Sequence, residues 1–343
     1  MLLETLDWGI EPRVYHLIAG LVLGLVFGVA AQISRFCLRR AVAGDVGERG
    51  SAAAVWVTGL AAALIGFLAA NAAGLVNIEG HRFLSDSLPV AAILAGGLAF
   101  GVGMVLTRGC VSRLTVLSAT GNLRAVFVLL AFAVTAHAML KGVLSPIRTS
   151  LGSITVDLPF AAVSGAVLTA AASVLALLLI VRTKPNLLHV TLGAVIGLTA
   201  ASGWVATGAL FFDEFDPMPV QSAAFTLPWS DSLFWAIAST AIPAGFGVGF
   251  IGGVLGGSFL SAASRGELKL QSFSTPGETL RYLAGGALMG VGGVLAGGCT
   301  IGAGLSGAAT GSVAALLALA AIATGGWVTA RLAAGTQSVP AAA

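Results

Sequence analysis

The sequence contains little charge. Asp, Glu, Lys and Arg together make up 9% of its 343 residues, against about 25% in a typical soluble domain. Hydrophobic residues make up 57%, and apolar runs of about 20 residues, the length that crosses a hydrocarbon core, recur along the chain. These features exclude an ordinary soluble domain and predict a membrane protein. The net charge of +3 is small and its cations are scattered between the runs, so nucleic-acid binding has no support.

Cysteine is also scarce. The chain has three, Cys37, Cys110 and Cys299, which lie far apart, with no C-x-x-C pair and no histidine at ligand spacing. This pattern argues against a disulfide scaffold, a thioredoxin-like motif and a zinc site. We therefore predict neither a resident metal nor a cofactor.

The apolar runs predict an all-α polytopic membrane protein with about nine transmembrane helices and additional short re-entrant helices. The approximate spans are 14–33, 52–76, 89–106, 123–144, 160–181, 187–205, 233–255, 278–296 and 312–332.

Two of the apolar segments repeat each other. LAGGLAFGVGMVLTRGC at 94–110 and LAGGALMGVGGVLAGGC at 283–299 agree at eleven of 17 positions. They end the third and eighth predicted spans, which cross the membrane in opposite directions, so the copies are predicted to be inverted. A fainter likeness joins HLIAGLVLGL from His16 to HVTLGAVIGL from His189. Inverted repeats are the usual plan of transporters, with a binding site between the repeats near the bilayer midplane.

The repeat predicts the organisation of the whole chain. A single transmembrane domain, 1–343, would contain a first repeat at 14–145, a linker span at 159–182 and an inverted second repeat at 187–332. Thirteen of the 17 Lys and Arg residues fall on one side of the predicted spans and four on the other. The positive-inside rule places the side with thirteen in the cytoplasm. We therefore expect a periplasmic N-terminus and a cytoplasmic C-terminus.

The two Gly-Cys pairs, 109–110 and 298–299, mark predicted breaks in the helices. Each pair is followed by about ten small or apolar residues, too few to cross the membrane, and then by another full span. Non-helical backbone at membrane depth is tolerated only where it is buried in protein or lines a cavity. The short helices after the breaks would present N-terminal amides to that cavity, which favours an anion. Ser112 and Thr300 are the predicted caps of these two helices.

Arginines accompany the cysteines. Arg108 and Arg113 flank Cys110, and Arg35 precedes Cys37. An arginine within the membrane costs at least about 2.5 kcal/mol on insertion scales, which makes such residues functional candidates; the alternative is that they snorkel to the interface. A single membrane cysteine is usually only a small hydrophobic residue, but matching positions in both repeats favour a functional role. The residues predicted to line a substrate path are Cys37, Cys110, Cys299, Arg35, Arg108, Arg113, Gly109, Gly298 and Thr300.

These motifs together resemble a known family. SRFCLRRAVAGD, two GxGxxxxxGC segments and the continuation GGCTIGAGLSG resemble the YeeE/YedE family of sulfur-compound transporters over essentially the whole chain. The resemblance implies uptake of thiosulfate or a related sulfur species across the bacterial inner membrane, through an hourglass of inverted repeats. It also implies that Cys110 lies at the central constriction, with Cys37 and Cys299 as neighbouring stations, and that a TusA-like sulfur-carrier protein is a cytoplasmic partner. VSR after Cys110 departs from the family's pattern and leaves the substrate open.

Several alternatives stay open on the sequence alone. The thiols can act as weak hydrogen-bond donors in a relay or form covalent persulfides after losing a proton. The chain can instead be an intramembrane thiol enzyme with Cys110 as nucleophile, although no histidine lies near a cysteine in sequence. It can also be a channel for neutral solutes, or a transporter of another sulfur or selenium species. The arginines beside the cysteines argue against the neutral channel.

Overall fold

The computed structural model describes residues 11–76, 78, 80–158, 162–212, 218–241 and 243–337. These ranges are mostly helical and contain only one short pair of strands, which confirms the all-α prediction. The α-helices are α1 Pro12–Ser34, α2 Leu38–Ala43, α3 Val46–Ala72, α4 Val90–Leu106, α5 Val111–Ala119, α6 Leu123–Lys141, α7 Ser145–Gly152, α8 Gly165–Thr183, α9 Leu187–Val205, α10 Thr226–Ile237, α11 Phe246–Ser264, α12 Pro276–Leu295 and α13 Val313–Gln337.

Minor elements join these helices. Two π-helices cover Ala206–Leu210 and Gly302–Gly307, and one 3-10 turn covers Arg82–Leu84. Strands β1 (Ser87–Leu88) and β2 (Val156–Asp157) form one short antiparallel pair, in which Ser87 lies opposite Asp157. 

Eight helical segments in the described part of the chain are long and apolar enough to cross a membrane. They are Pro12–Ala43, Val46–Ala72, Val90–Ala119, Leu123–Lys141, Gly165–Thr183, Leu187–Leu210, Phe246–Ser264 and Val313–Ala334. The span predicted at 278–296 forms the 20-residue helix α12, whose glycines and charges lower its apolar content below that of the other eight. Helix α12 packs between α4 and α6.

The span predicted at 233–255 is wrong in its bounds. The structure has a twelve-residue helix, α10, and then α11 from Phe246, with non-helical backbone at 238–241 and 243–245. Pro243 supplies no backbone N–H to a helix and Gly245 adopts an extended conformation. The apolar run therefore bends where its hydropathy alone predicted continuity.

Glycines allow the helices to touch along their backbones. A Cβ added at Gly24 of α1 would overlap the carbonyl oxygen of Phe250, and one added at Gly253 of α11 would overlap the carbonyl oxygen of Leu21. Such close packing is what associates helices where surrounding lipid removes the hydrophobic driving force. The α1–α11 contact is the most extensive between any two helices of the described chain.

The helix contacts fall into matched pairs. Helix α1 packs on α11 and α9 packs on α3; α4 packs on α13 and α12 packs on α6. Helices α4 and α12, which carry the repeated sequence, also pack on each other, with Gly96 against the backbone nitrogen of Ala296 and Gly103 against α12 near Met289. 

Helix α8 covers most of the predicted linker span, whose first residues, 159–161, lie outside the described residues. Only two of its side chains, Ala172 and Ala176, are buried. A helix that is apolar and exposed on nearly all sides is suited to contact with lipid.

The close helix contacts can be tested with two neighbouring glycines of α11. Gly253→Ala is expected to lower the melting temperature in detergent, because overpacking at a backbone contact costs about 1–3 kcal/mol. Gly252→Ala is the matched control: Gly252 is exposed, and an added Cβ would have its nearest neighbour at 3.9 Å, the Cδ1 atom of Leu21. Equal melting temperatures for the two variants would contradict the packing described here.

Candidate functional site

Both helices of the repeated sequence end at a left-handed turn. Helix α4 is followed by Arg108 at φ 57°, and α12 is followed by Gly297 at φ 73°. A non-glycine residue in this region costs about 1–2 kcal/mol, so the first copy contains strain that the second avoids. The Thr107 hydroxyl lies 2.9 Å from the carbonyl oxygens of Gly103 and Gly109, which fixes the first turn.

The segments after the cysteines differ by one residue. Ten residue steps separate Cys110 from Thr120, and eleven separate Cys299 from Thr310, before a matching Thr-Gly turn. The first segment is the α-helix α5, and the second contains the π-helix Gly302–Gly307. A π-turn accommodates one extra residue within an α-helix and is frequent at functional sites. The predicted short helices are therefore present in both copies but are wound differently.

The structure brings two of the three cysteines into contact. The Sγ atoms of Cys37 and Cys110 lie 3.7 Å apart, and the Ser112 hydroxyl lies 3.1 Å from Cys110 Sγ. Both cysteines are buried, and Cys110 occupies the N-cap position of the nine-residue helix α5. The pair therefore lies at the positive end of a helix, where a negative solute is favoured.

Cys299 lies in the same hydrophobic core cluster as the other two cysteines. Its Sγ atom accepts a hydrogen bond from the backbone N–H of Gly302, at 3.4 Å. Gly298 is a close-packing position, since an added Cβ would lie 2.7 Å from the backbone nitrogen of Ala303. The second break is thus held tightly against its own π-helix.

Polar atoms without partners surround this second break. Within the described residues, Thr300 Oγ1, Thr226 Oγ1 and Trp56 Nε1 are buried and have no hydrogen-bond partner. Thr226 faces Gly293 of α12, and the Trp56 ring faces Gly304 of the π-helix. An unsatisfied buried polar group costs about 1–3 kcal/mol, so these atoms are suited to a hydrogen-bonding solute.

The predicted caps are not observed. The Thr300 hydroxyl has no hydrogen-bond partner among the described residues, and the π-helix after it begins beyond Ile301. Ser112 lies inside α5, where its hydroxyl contacts the Cys110 thiol instead of a backbone N–H. The expectation for Ser112 is wrong because Cys110, with extended backbone, takes the N-cap position of α5, and the expectation for Thr300 is wrong because Ile301 takes that position before the π-helix.

The arginines separate into two groups. Arg35 and Arg113 line a cavity of about 580 Å³ that we name the basic vestibule. Its lining residues are Gln32, Arg35, Arg40, Arg113, Val116, Leu117, Thr120, Asn122, Gly266, Glu267, Lys269 and Gln271. Arg108 lies elsewhere, in a cavity of about 320 Å³ that it shares with Arg281 and Glu278.

The two segments that carry the thiol pair also line the basic vestibule. Arg35 is two residues before Cys37, and Arg113 is three residues after Cys110. Arg113 reaches across to α1, where it donates a hydrogen bond to the carbonyl oxygen of Ala31 at 3.4 Å. Gly109, which precedes Cys110, has no side chain and therefore offers only its backbone beside the thiol pair. The arrangement can attract an anion with the arginines and offer it sulfhydryl groups beyond them.

No hydrogen bond among the described residues joins a histidine to a cysteine. His16 contacts the carbonyl oxygen of Phe211, His137 contacts the Ser230 hydroxyl, and His81 accepts from the backbone N–H of Phe83. Burial, with a smaller contribution from the Arg82 charge, lowers the pKa of His81 to about 4. The described contacts thus supply no general base beside a thiol.

Of the residues that line the vestibule, sequence reasoning predicted only Arg35 and Arg113 as path residues, and it missed the contact between Gln32 and Glu267. The Gln32 amide donates a hydrogen bond of 2.6 Å to the Glu267 carboxylate, across 235 positions of the chain. The only sequence signal was a polar residue, Gln32, in an otherwise apolar run before Arg35.

Comparison with known proteins gives consistent matches. The sequence model of the family described as "Sulphur transport" matches residues 33–328, a range that contains all three cysteines. The thiosulfate transporter TsuA of Escherichia coli (strain K12) is 25% identical over 320 residues, which cover 84% of this chain and 86% of that protein. The thiosulfate transporter TsuA of Spirochaeta thermophila is 28% identical over 346 residues, which cover 90% of this chain and 96% of that protein.

The contact between the thiols predicts a selective cross-link. In a Cys299→Ala variant, oxidation by copper phenanthroline should join Cys37 to Cys110, because the sulfurs need only close from 3.7 Å to about 2.05 Å. The two thiols lose two protons, and two copper(II) ions accept the two electrons. Mass spectrometry of the digested protein would identify the linked peptides. A Cys110→Ala variant is the control, and a Cys37–Cys299 link of equal yield would contradict the geometry.

Proposed function

The chain belongs to the sulphur transport family, and on that premise we propose that it takes up thiosulfate or a related sulfur-containing anion across the bacterial inner membrane. The observation that carries the proposal is the contact between the Cys37 and Cys110 thiols, on segments that also contribute arginines to the lining of a cavity. The two relatives described above are thiosulfate transporters, which supports this substrate.

Stabilisation of the anion at the vestibule end of the path is assigned to Arg35 and Arg113, together with the N-terminal amides of α5. Fixed charges of this kind gain strength where protein excludes water, because the effective dielectric constant falls. The positive end of α5 adds to the arginines at the position of Cys110. A doubly charged oxyanion gains more from these groups than a neutral solute, which argues against the neutral channel.

The thiols are assigned to a relay for the terminal sulfur of the anion. S–H is a weak donor that can contact a soft, charged sulfur without holding it tightly. The Sγ atoms of Cys37 and Cys110 lie 3.7 Å apart, so one anion can contact both, and Cys299 belongs to the same core cluster. Several weak sites in series favour both entry and release. The relay is favoured over a thiol enzyme because the described contacts supply no base beside a cysteine.

The polar atoms near Cys299 are assigned to the far side of the same path. The unpartnered hydroxyls of Thr226 and Thr300 and the Trp56 indole can donate to the oxygens of an oxyanion as it approaches Cys299. 

The proposed architecture is a pair of inverted repeats, 14–145 and 187–332, with the linker span at 159–182 between them. The matched helix contacts support it, since exchanging the two repeats turns α1–α11 into α9–α3 and α4–α13 into α12–α6. The charge distribution supports a periplasmic N-terminus and a cytoplasmic C-terminus. In this orientation the basic vestibule opens to the cytoplasm, where a TusA-like sulfur-carrier protein is the proposed recipient of the sulfur compound.

Uptake of radiolabelled thiosulfate by cells that lack their own thiosulfate transporter tests the proposal. Wild type should restore uptake, and Cys110→Ala should lower the initial rate about tenfold, the loss expected for one hydrogen bond to a charged group. Cys110→Ser should retain more activity than Cys110→Ala, because it keeps a donor. Arg331→Gln, at a residue that stacks on Trp327 away from the vestibule, is the control variant with wild-type uptake.

The possible outcomes test the proposed substrate and the proposed relay independently. Absence of thiosulfate uptake by the wild-type protein, at normal membrane abundance, would overturn the proposed function. Wild-type rates in the Cys110→Ala variant would overturn the relay alone.

A further inference from the structure

The basic vestibule contains four cationic side chains, Arg35, Arg40, Arg113 and Lys269, and one carboxylate, Glu267. Arg40 is paired outside the vestibule lining, with Glu48 at 2.8 Å. A doubly charged anion that entered this cavity would be held by several cations at once. Such a cavity attracts the anion strongly but releases it slowly, whereas transport requires both entry and release of the anion.

Both carboxylate oxygens of Glu267 accept hydrogen bonds at the wall of this cavity. One carboxylate oxygen accepts from the Gln32 amide at 2.6 Å, and the other accepts from the Arg265 guanidinium at 3.0 and 3.1 Å. Gln32 is itself held, because its oxygen accepts from the Ser261 hydroxyl at 3.0 Å. The hydrogen bonds from Gln32 and Arg265 lower the pKa of Glu267, so the carboxylate is ionised at neutral pH.

Backbone hydrogen bonds connect the segment around Glu267 to α11 and to the end of α5. A turn at Gly266, with φ 65°, lets the Glu267 N–H donate to the carbonyl oxygen of Ala262 at 2.9 Å. Two residues later, the Lys269 N–H donates a hydrogen bond of 3.0 Å to the carbonyl oxygen of Thr120, which follows α5. These bonds hold the backbone segment of Glu267 against the end of α5, the helix that follows Cys110.

We propose that Glu267 is the release residue of the basic vestibule. Its fixed negative charge repels the transported dianion and reduces the net hold of the four cations, so the anion leaves the vestibule instead of remaining bound. This inference rests on the proposed function, because it assumes that a sulfur-containing anion passes through this cavity. Glu267 acts on the anion through charge and is not a donor to it.

A purely structural role for Glu267 makes a different prediction. If the residue only anchors its loop to α1, its replacement would lower stability and weaken binding. Loss of a repulsive charge would instead strengthen binding, slow release and make both effects sensitive to salt. Binding and transport therefore distinguish the two roles when they are measured on the same variant.

The test compares wild type with Glu267→Gln, which preserves shape and hydrogen-bonding capacity but removes the charge. Equilibrium binding of radiolabelled thiosulfate to the purified full-length protein in detergent should become about three- to tenfold tighter, as expected for one screened charge near a dianion. In cells, the maximal uptake rate and the half-saturating concentration should both fall. At an ionic strength of about 1 M the difference in binding should largely disappear, because the screening length is then about 3 Å.

Two further variants complete the experiment. Glu267→Asp keeps the charge and should bind and transport as the wild type does. Glu278→Gln removes a carboxylate that pairs with Arg124 at 2.8 Å outside the vestibule, and it should leave thiosulfate binding unchanged.

Each result bears on the proposal. Unchanged or weaker binding by Glu267→Gln, or equally tightened binding by Glu278→Gln, would overturn the release role while leaving thiosulfate transport intact. If the wild-type protein neither binds nor transports thiosulfate, the proposed function fails, and the release role falls with it. Gel filtration shows whether Glu267→Gln is folded. If Glu267→Gln is unfolded and Glu267→Asp does not bind thiosulfate either, Glu267 has a structural role and the proposal is overturned.

Discussion

Backbone that leaves a helix inside a membrane protein must be covered by other protein, because lipid offers its N–H and C=O groups no partners. Helices α4 and α12 both end at such breaks, and the rest of the fold serves to enclose them. Glycines along α4 and α12 let the two helices touch, and glycines along α1 and α11 close the protein around the break at Cys110. The feature that both copies share is therefore a helix break enclosed by protein, with a buried cysteine directly after it.

Charge and sulfur have separate roles in this arrangement. In the proposed path, the cations of the basic vestibule would act on an anion at a distance, whereas the buried thiols would act only on contact. Cys37 and Cys110 meet because Cys37 begins α2 and Cys110 begins α5, so two helix starts converge on the same point. Arg108 is equally near Cys110 in sequence, yet its left-handed turn directs it to a different cavity. Proximity along the chain was therefore a poor guide to which arginine accompanies the thiols.

The sequence predicted those parts of the fold that depend on local pattern. The lengths of the apolar runs predicted most spans. The repeated Gly-Cys segments predicted a helix break, followed by a short helix, at both Cys110 and Cys299. It failed at 233–255, where Pro243 and Gly245 outweigh hydropathy, and at Thr300, whose hydroxyl caps nothing. The π-helix after Cys299 follows from a one-residue insertion that is visible only when the copies are aligned. The Gln32–Glu267 hydrogen bond joins residues 235 positions apart, and no local pattern contains it.

The central claim is that a sulfur-containing anion passes through the interior at the thiols. Selenosulfate, in which selenium replaces the terminal sulfur of thiosulfate, tests it most directly, because anomalous X-ray scattering locates the selenium in crystals of the protein. The account predicts a selenium peak within about 4 Å of Cys110 Sγ, the reach of a hydrogen bond to sulfur. Selenium bound only at sites remote from Cys37, Cys110 and Cys299, in a protein that transports the compound, would contradict it.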